Sequence, residues 1–193
     1  MDVTIIDYGA GNIQSIQFAF QRLGVNAKLS NSVQEIQKAD KVIFPGVGEA
    51  SQAMQMLKKS KLDHLIPTLK QDVLGICLGM QLLCNYSEEG HTQGLGVFDV
   101  EVKQFSNVVK VPHMGWNRIK NLQSDLLKNI EENSFMYSVH SYYANIGKHT
   151  IASSEYELEF SAALQSNNFY GVQFHPEKSS KDGAQLLQNF LNL

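Results

Sequence analysis

The sequence predicts an α/β protein with a mixed, mostly parallel central sheet flanked by helices, and with a smaller antiparallel sheet. Two observations support this prediction. Up to Ser87, short apolar runs alternate with segments of helical period, a pattern typical of parallel strands joined by helices. After Ser87, short strands recur with few helices between them, which is typical of antiparallel or mixed pairing. At 193 residues, we expect residues 1–193 to form one domain.

The first half begins with a strand and a glycine-containing turn. Val3-Thr4-Ile5-Ile6 is a β-branched run, typical of a strand buried on both faces, and Asp7-Tyr8-Gly9-Ala10-Gly11-Asn12 follows it. A dinucleotide-binding loop is the alternative to a simple turn, but its third glycine would fall at Gln14. We therefore favour a tight turn. Further strands are predicted at 25–29, 41–44 and 73–76, with apolar helical stripes at Ala50, Ala53, Met54 and Leu57 and at Leu62, Leu65, Ile66 and Leu69.

Cys77 is the candidate nucleophile. Gly75 and Gly79 flank it at two residues on either side, an apolar strand precedes it, and a helical segment follows it. Such a strand-to-helix corner holds a nucleophile at the sheet edge, and small residues at these positions let the two elements approach closely. The helix start also favours the thiolate form. A buried structural cysteine is the alternative, because free cysteines are often buried.

Segment Pro45-Gly46-Val47-Gly48 follows the third predicted strand. Proline and glycine after a strand normally indicate only a turn. The functional alternative is a loop whose backbone N–H groups point at an oxyanion, since glycine permits the unusual φ angles that this requires. In parallel sheets ligands bind at the carboxyl ends of the strands, where this loop and Cys77 would both lie.

The second half carries a candidate base and two polar clusters, at residues 112–117 and 137–143. Strands are predicted at 100–103, 108–111, 135–139, 149–152, 160–164 and 169–174. Trp116 could fill the core or lie at the surface, and His140 could be an ordinary strand histidine. His175 and Glu177 end the last strand on one face and can meet there, which would give a cysteine nucleophile its oriented base. Ser179 and Asp182 have the spacing of a capping box before a final helix.

Composition excludes several classes of function. A formal net charge of −3 gives no basic surface for nucleic acid or an anionic membrane. No basic leader with a long apolar core, and no apolar run of about 20 residues, is present, so we expect a cytoplasmic protein.

The cysteines and histidines predict neither a disulfide nor a metal site. On one helix Cys77 and Cys84 would be roughly 10 Å apart, too far for a disulfide bond between them. The six histidines show no metal-ligand spacing, so no metal is expected.

Three segments, taken together, are highly specific for one protein family: Pro45-Gly46-Val47-Gly48, Gly75-Ile76-Cys77-Leu78-Gly79-Met80-Gln81 and His175-Pro176-Glu177. On these segments, in this order and spacing, the whole chain resembles class I (triad) glutamine amidotransferase domains. The resemblance implies that family's fold and a glutaminase activity with a Cys-His-Glu triad.

Four further segments narrow the resemblance within the family. They are similar to segments of the glutaminase subunits of imidazole glycerol phosphate synthases: Asp7-Tyr8-Gly9-Ala10-Gly11-Asn12, Pro112-His113-Met114-Gly115-Trp116-Asn117, Val139-His140-Ser141-Tyr142-Tyr143 and Pro176-Glu177-Lys178-Ser179. This resemblance implies hydrolysis of L-glutamine and delivery of ammonia to a separate cyclase subunit. The implied cyclase is a (β/α)₈ barrel, the complex is a heterodimer in histidine biosynthesis, and no cofactor is implied.

The resemblance also implies the residue roles. Cys77 would be the nucleophile, His175 the base and then the acid, and Glu177 the group that orients the imidazole. Oxyanion donors would be the backbone N–H groups of Leu78 and, after a peptide reorientation, of Val47. Glutamine would be held by Gly46, Gly48, Gln81, Ser138, Val139, His140 and Ser141, and the partner would be contacted by Asn12, Met114, Trp116 and Lys178.

Other functions stay open at this point. A glutaminase serving a different acceptor synthase, such as one that amidates a surface sugar, would share these motifs. A catalytically silent binding subunit has no chemical need for Cys77, His175 and Glu177 together. A thiol peptidase is disfavoured by Gln81 and by the segment Pro45-Gly46-Val47-Gly48.

Overall fold

A computed structural model of the chain describes residues 1–9 and 11–193. Ala10, in the turn predicted after the first strand, lies outside the described residues. The first half alternates strands and helices as predicted. Its elements are β1 (Val3–Ile6), α1 (Ile13–Arg22), β2 (Lys28–Ser30), α2 (Val33–Lys38), β3 (Lys41–Phe44), α3 (Ala50–Ser60), α4 (Leu62–Leu65), a 3₁₀ turn (Ile66–Thr68), β4 (Asp72–Ile76) and α5 (Leu78–Leu83).

The second half is rich in strands and closes with a helix. Its strands are β5 (Cys84–Ser87), β6 (Thr92–Gln93), β7 (Phe98–Gln104), β8 (His113–Arg118), β9 (Phe135–His140), β10 (Tyr142–Ala144), β11 (Thr150–Glu155), β12 (Glu159–Ser166) and β13 (Phe169–Val172). Three 3₁₀ turns (Glu89–His91, Asp125–Leu127 and Pro176–Lys178) and the helix α6 (Ser180–Asn192) complete the chain. No helix in the described part of the chain combines the length and apolar character needed to cross a membrane.

The strands form one large sheet and one small one. The large sheet has the order β2-β1-β3-β4-β13-β12-β10-β7-β5-β6, with β11 beside β12, and β2, β1, β3, β4 and β13 are mutually parallel. The small sheet is the antiparallel pair β8–β9. The predicted fold class, a mixed sheet flanked by helices with a smaller antiparallel sheet, is confirmed.

The core lies on both faces of the parallel strands. Ile5 packs in a cluster with Phe20, whereas the next residue, Ile6, packs on the other face with Phe44. Successive side chains of a strand point to opposite faces, so a strand covered on both sides has no exposed positions, and all four residues of β1, including Thr4, are buried. This is why β1 shows no alternation of polar and apolar residues.

Several predicted elements differ from the structure. No strand forms at 108–111, where Val108 is 86% exposed, because the chain leaves the sheet after β7. The second strand starts only at Lys28, since the Val25 N–H donates to Phe20 O at the end of α1. The predicted helix at 62–69 ends as the 3₁₀ turn Ile66–Thr68, which contains Pro67, a residue without a backbone donor.

The last strand and the last helix also differ from prediction. β13 ends at Val172, so His175 lies beyond the strand and Glu177 lies in the 3₁₀ turn that follows His175. Ser179 precedes α6 but makes no side-chain cap, because its hydroxyl donates to His175 O and accepts from the Tyr137 N–H. The serine therefore ties the turn to β9 instead of capping the helix.

The start of α5 packs directly against the end of β3. A Cβ on Gly79 would lie 2.0 Å from Phe44 O, and a Cβ on Gly46 would lie 2.6 Å from Gly79 N. Both contacts are with backbone atoms, which cannot move aside cheaply. The predicted need for small residues beside Cys77 is confirmed.

We predict that Gly79→Ala destabilises the protein by about 1–3 kcal/mol or more, because the added methyl group overpacks this contact. Gly147→Ala is the matched control, since the nearest atom to its added Cβ is Val100 Cγ2 at 3.8 Å. Urea unfolding of both variants measures the difference. Equal unfolding midpoints for the two variants would contradict the close approach.

Candidate active site

Three neighbouring parallel strands bring the predicted site together at one edge of the sheet. Phe44 of β3 pairs with Gly75 of β4, and Ile76 of β4 pairs with Val172 of β13. The segments that follow these strands are therefore neighbours. They are the loop 45–48, Cys77, and residues 173–177.

Cys77 lies at a strained corner between β4 and α5. Its backbone has φ 54° and ψ −112°, a conformation that non-glycine residues rarely adopt, and its N–H donates to Val172 O at 2.8 Å. Leu78 is the first residue of α5, so its N–H has no acceptor within the helix. Backbone strain of this kind occurs mainly at functional sites, which supports the nucleophile prediction over a structural cysteine.

Cys84, the other cysteine, is also free, but its surroundings differ. It is completely buried just after α5, and burial raises the pKa of its thiol. Cys77 instead lines an open cavity, with its Sγ 3.8 Å from Val139 O. Only Cys77 therefore has access to a ligand.

His175 and Glu177 form a buried pair. His175 Nδ1 lies 2.8 Å from Glu177 Oε1, and the His175 N–H donates to Tyr137 O. Glu177 Oε2 is buried without a hydrogen-bond partner among residues 1–9 and 11–193, so the imidazole is the main support of this carboxylate. The predicted contact exists, although a 3₁₀ turn and not a strand creates it.

Opposing effects act on the His175 imidazole. Burial by itself lowers its pKa, but hydrogen bonds to Cys77 and Glu177, together with their charges, outweigh burial and raise the pKa to about 10. The imidazolium is therefore the favoured form near neutral pH. An imidazolium beside a sulfur is the arrangement that activates a cysteine nucleophile.

A cavity of about 540 Å³ opens in front of Cys77, within the usual size range of small-molecule sites. Most of the predicted site residues line it: Asn12, Val47, Gly48, Cys77, Leu78, Gln81, Val139, His140, Ser141, His175 and Lys178. Gly46 and Ser138 are buried beside the cavity and do not line it. Met114 and Trp116 lie outside it on β8 and are 64% and 52% exposed, so Trp116 is a surface residue and not core filler.

The structure adds polar residues that the sequence did not single out. Gln173 follows β13, and its Nε2 lies 3.9 Å from Cys77 Sγ. Gln81 Nε2 donates to Gln173 Oε1 and to Tyr142 O. Glu89 also lines the cavity, and its carboxylate accepts from the Ala50 N–H. In the sequence, the only indication that Gln173 belongs to the site was its position two residues before His175. Glu89 lies in no recognisable motif, so nothing in the sequence indicated its place in the cavity.

Comparison with protein families matches residues 4–193 to the family described as glutamine amidotransferase class-I. The chain belongs to the class-I glutamine amidotransferases. This match confirms the predicted family and the predicted kind of enzyme. Among related glutamine amidotransferases, the imidazole glycerol phosphate synthase subunit HisH of Bacteroides fragilis is 52% identical, with complete coverage of both chains. The protein of that name from Haemophilus influenzae is 45% identical over 99% of this chain and 97% of its own.

Solved structures show the same fold at low identity. A structure described as a glutamine amidotransferase has a TM-score of 0.78 at 16% identity, covering 100% of this chain and 98% of its own. A structure described as PurLQS from Thermotoga maritima has a TM-score of 0.71 at 17% identity, covering 99% of this chain and 97% of its own. The arrangement of strands and helices is therefore that of class-I glutamine amidotransferases.

We predict that Glu177→Gln lowers the pKa of His175, because the carboxylate charge that favours the imidazolium is removed. Glutamate formation should fall by about 10²–10⁴-fold, as the base loses its orienting group. NMR titration of the His175 imidazole measures the first effect, and a glutaminase assay measures the second. Glu131→Gln, which removes an exposed charge, is the control. An unchanged His175 titration in Glu177→Gln would contradict the pairing.

Proposed function

We propose that this chain is the glutaminase subunit of an imidazole glycerol phosphate synthase, acting in histidine biosynthesis. The observation that carries the proposal is the buried His175–Glu177 pair beside the strained Cys77, at the base of a cavity of substrate size. Relatives that bear the name of this subunit, at 45–52% identity over nearly the whole chain, support the pathway. Residues 1–193 act as one glutaminase domain.

The proposed reaction follows the geometry of the site. The Cys77 thiolate attacks the side-chain amide carbon of L-glutamine, and the backbone N–H groups of Leu78 and, after a peptide reorientation, of Val47 stabilise the oxyanion. His175 then gives a proton to the leaving nitrogen, and the carbon–nitrogen bond breaks to release ammonia. Water, deprotonated by His175, hydrolyses the glutamyl thioester to glutamate.

Gln81 presents an acceptor to the substrate. Both of its amide hydrogens have acceptors, at Tyr142 O (2.9 Å) and at Gln173 Oε1 (2.8 Å). Its amide oxygen is therefore the atom left for the ligand. Gly48, Val139 and Ser141 border the same cavity, and the predicted substrate residues Gly46 and Ser138 are buried next in sequence to the lining residues Val47 and Val139.

Glu89 fits the α-ammonium group of glutamine. It is the only carboxylate among the described residues that line the cavity, and it is half-buried. Burial raises its pKa and the neighbouring Glu49 charge adds to this, while the Ala50 N–H opposes them. A ligand ammonium group would relieve the cost of this partly buried charge.

The partner is proposed to be a cyclase with a (β/α)₈-barrel fold, in a heterodimer. Met114 and Trp116 are exposed apolar side chains on one strand, and aromatic anchors of this kind dominate protein interfaces. Asn12 and Lys178 lie at the border of the cavity, so a partner seated across these four residues would cover its mouth. Ammonia could then pass to the acceptor without entering bulk water.

We predict that the purified chain forms glutamate slowly, and that the cyclase from the same genome with its nucleotide ligand stimulates it strongly. Cys77→Ala should abolish the activity, whereas Cys84→Ala should keep it. Glutamate release measures the rates. Activity that depends on Cys77 but ignores the cyclase would assign the chain to a different acceptor synthase, and activity independent of Cys77 would remove the glutaminase proposal.

We predict that Glu89→Gln raises the KM for glutamine by about 10–100-fold with a smaller change in kcat, since a charge-assisted hydrogen bond is lost. Steady-state kinetics of the complex measure both constants. Glu88→Gln is the matched control, because the neighbouring Glu88 is exposed and does not line the cavity. A KM equal to that of the Glu88 variant would exclude Glu89 from ammonium binding.

A further inference from the structure

Two buried histidines face each other across the small sheet. The register of β8 and β9 pairs His113 directly with His140. His113 Nδ1 lies 3.1 Å from His140 Nε2, and His140 Nδ1 lies 2.8 Å from Tyr142 O. Neither ring belongs to the triad, so this contact needs its own explanation.

The hydrogen-bond partners determine the tautomers of both rings. Tyr142 O can only accept, so His140 Nδ1 carries a hydrogen, and in a neutral ring His140 Nε2 must accept. His113 Nδ1 is therefore the donor to His140. His113 Nε2 is left as an acceptor, and it faces Asn117 Nδ2, an amide donor, at 3.4 Å. Asn117, His113, His140 and Tyr142 thus form one series of hydrogen bonds, in which each donor points towards Tyr142 O.

The surroundings keep both rings neutral. His113 stacks on Tyr156 with ring centroids 4.1 Å apart, and Phe105 and Phe160 pack against His140. Burial lowers the pKa of His113 and, with the influence of His113 and His175, lowers that of His140 to about 3, against the opposing Tyr142 hydrogen bond. If His140 were charged, its Nε2–H would face the Nδ1–H of His113, and two hydrogen-bond donors would oppose each other.

This chain of hydrogen bonds ends at the groups that meet the substrate. Tyr142 O accepts from both His140 Nδ1 and Gln81 Nε2. Gln81 continues to Gln173, whose Nε2 lies near Cys77 Sγ. The corner between β9 and β10 is thus held by the histidine pair on one side and by Gln81 on the other.

We propose that His113 is a positioning residue for glutamine recognition. Its hydrogen bond fixes the tautomer and orientation of His140, and His140 in turn fixes Tyr142 O, which orients the Gln81 amide. The other face of β8 carries Met114 and Trp116, so this strand carries both the proposed partner surface and the histidine that contacts His140, a residue lining the cavity. The inference rests on the proposed function only in taking L-glutamine as the ligand.

Two substitutions separate hydrogen bonding from packing. His113→Phe keeps an aromatic ring against Tyr156 but removes the donor to His140. His113→Asn loses the ring but places an amide donor near the position of Nδ1. We expect His113→Phe to weaken glutamine binding by about tenfold and His113→Asn to weaken it by no more than about twofold. Calorimetry of L-glutamine binding in a Cys77→Ala background measures this without turnover.

Equal weakening by both substitutions would reduce His113 to a packing role, and no weakening by either would remove it from recognition. ¹⁵N NMR of the labelled histidines gives a test that does not depend on glutamine. We expect the neutral Nδ1–H tautomer for both rings in the unmodified protein. An imidazolium or an Nε2–H tautomer at His140 would overturn the inference. A Cys77→Ala protein that binds no glutamine, with the expected tautomers, would instead count against the proposed function.

Discussion

The parallel pairing of β4 with β13 is the constraint on which the site depends. These strands are far apart in sequence, and the register that sets Ile76 beside Val172 places Cys77, directly after β4, next to residues 173–177, which follow β13. The Cys77 N–H donates to Val172 O, so this cysteine is fixed by the same ladder that forms the sheet. Any shift of this register would separate the Cys77 sulfur from His175, its proposed base.

Around this pairing, polar side chains are buried with nearly all of their hydrogen bonds made. Gln81, Gln173 and His140 each have specific partners, and a buried donor or acceptor without one is costly. Their orientations are therefore determined by one another. Fixed dipoles of this kind bind a ligand and a developing charge with little reorganisation, which is the main source of stabilisation in many enzyme sites.

Local patterns predicted the parts of the molecule whose causes are local. The run of β1, the helical stripe of α3 and the glycines around Cys77 each follow from requirements of a few adjacent residues. The failures have non-local causes. Residues 108–111 have strand composition but pair with no strand in the described part of the chain, and the Ser179 hydroxyl bonds to β9 and not to its own helix. The first outcome depends on strands distant in sequence, and the second depends on Tyr137, which is also distant, as well as on the nearby His175 O.

The sequence by itself determined the fold class and the family and predicted the three triad residues, because strand–turn–helix corners and sequence motifs are encoded within short segments. Only the tertiary structure decided how the remaining polar residues are used. Glu89 enters the cavity, Gln173 reaches the sulfur and His113 meets His140 through contacts between distant segments. The physical reason is that a buried hydrogen bond needs two groups at a fixed distance and direction, and the folded register sets both.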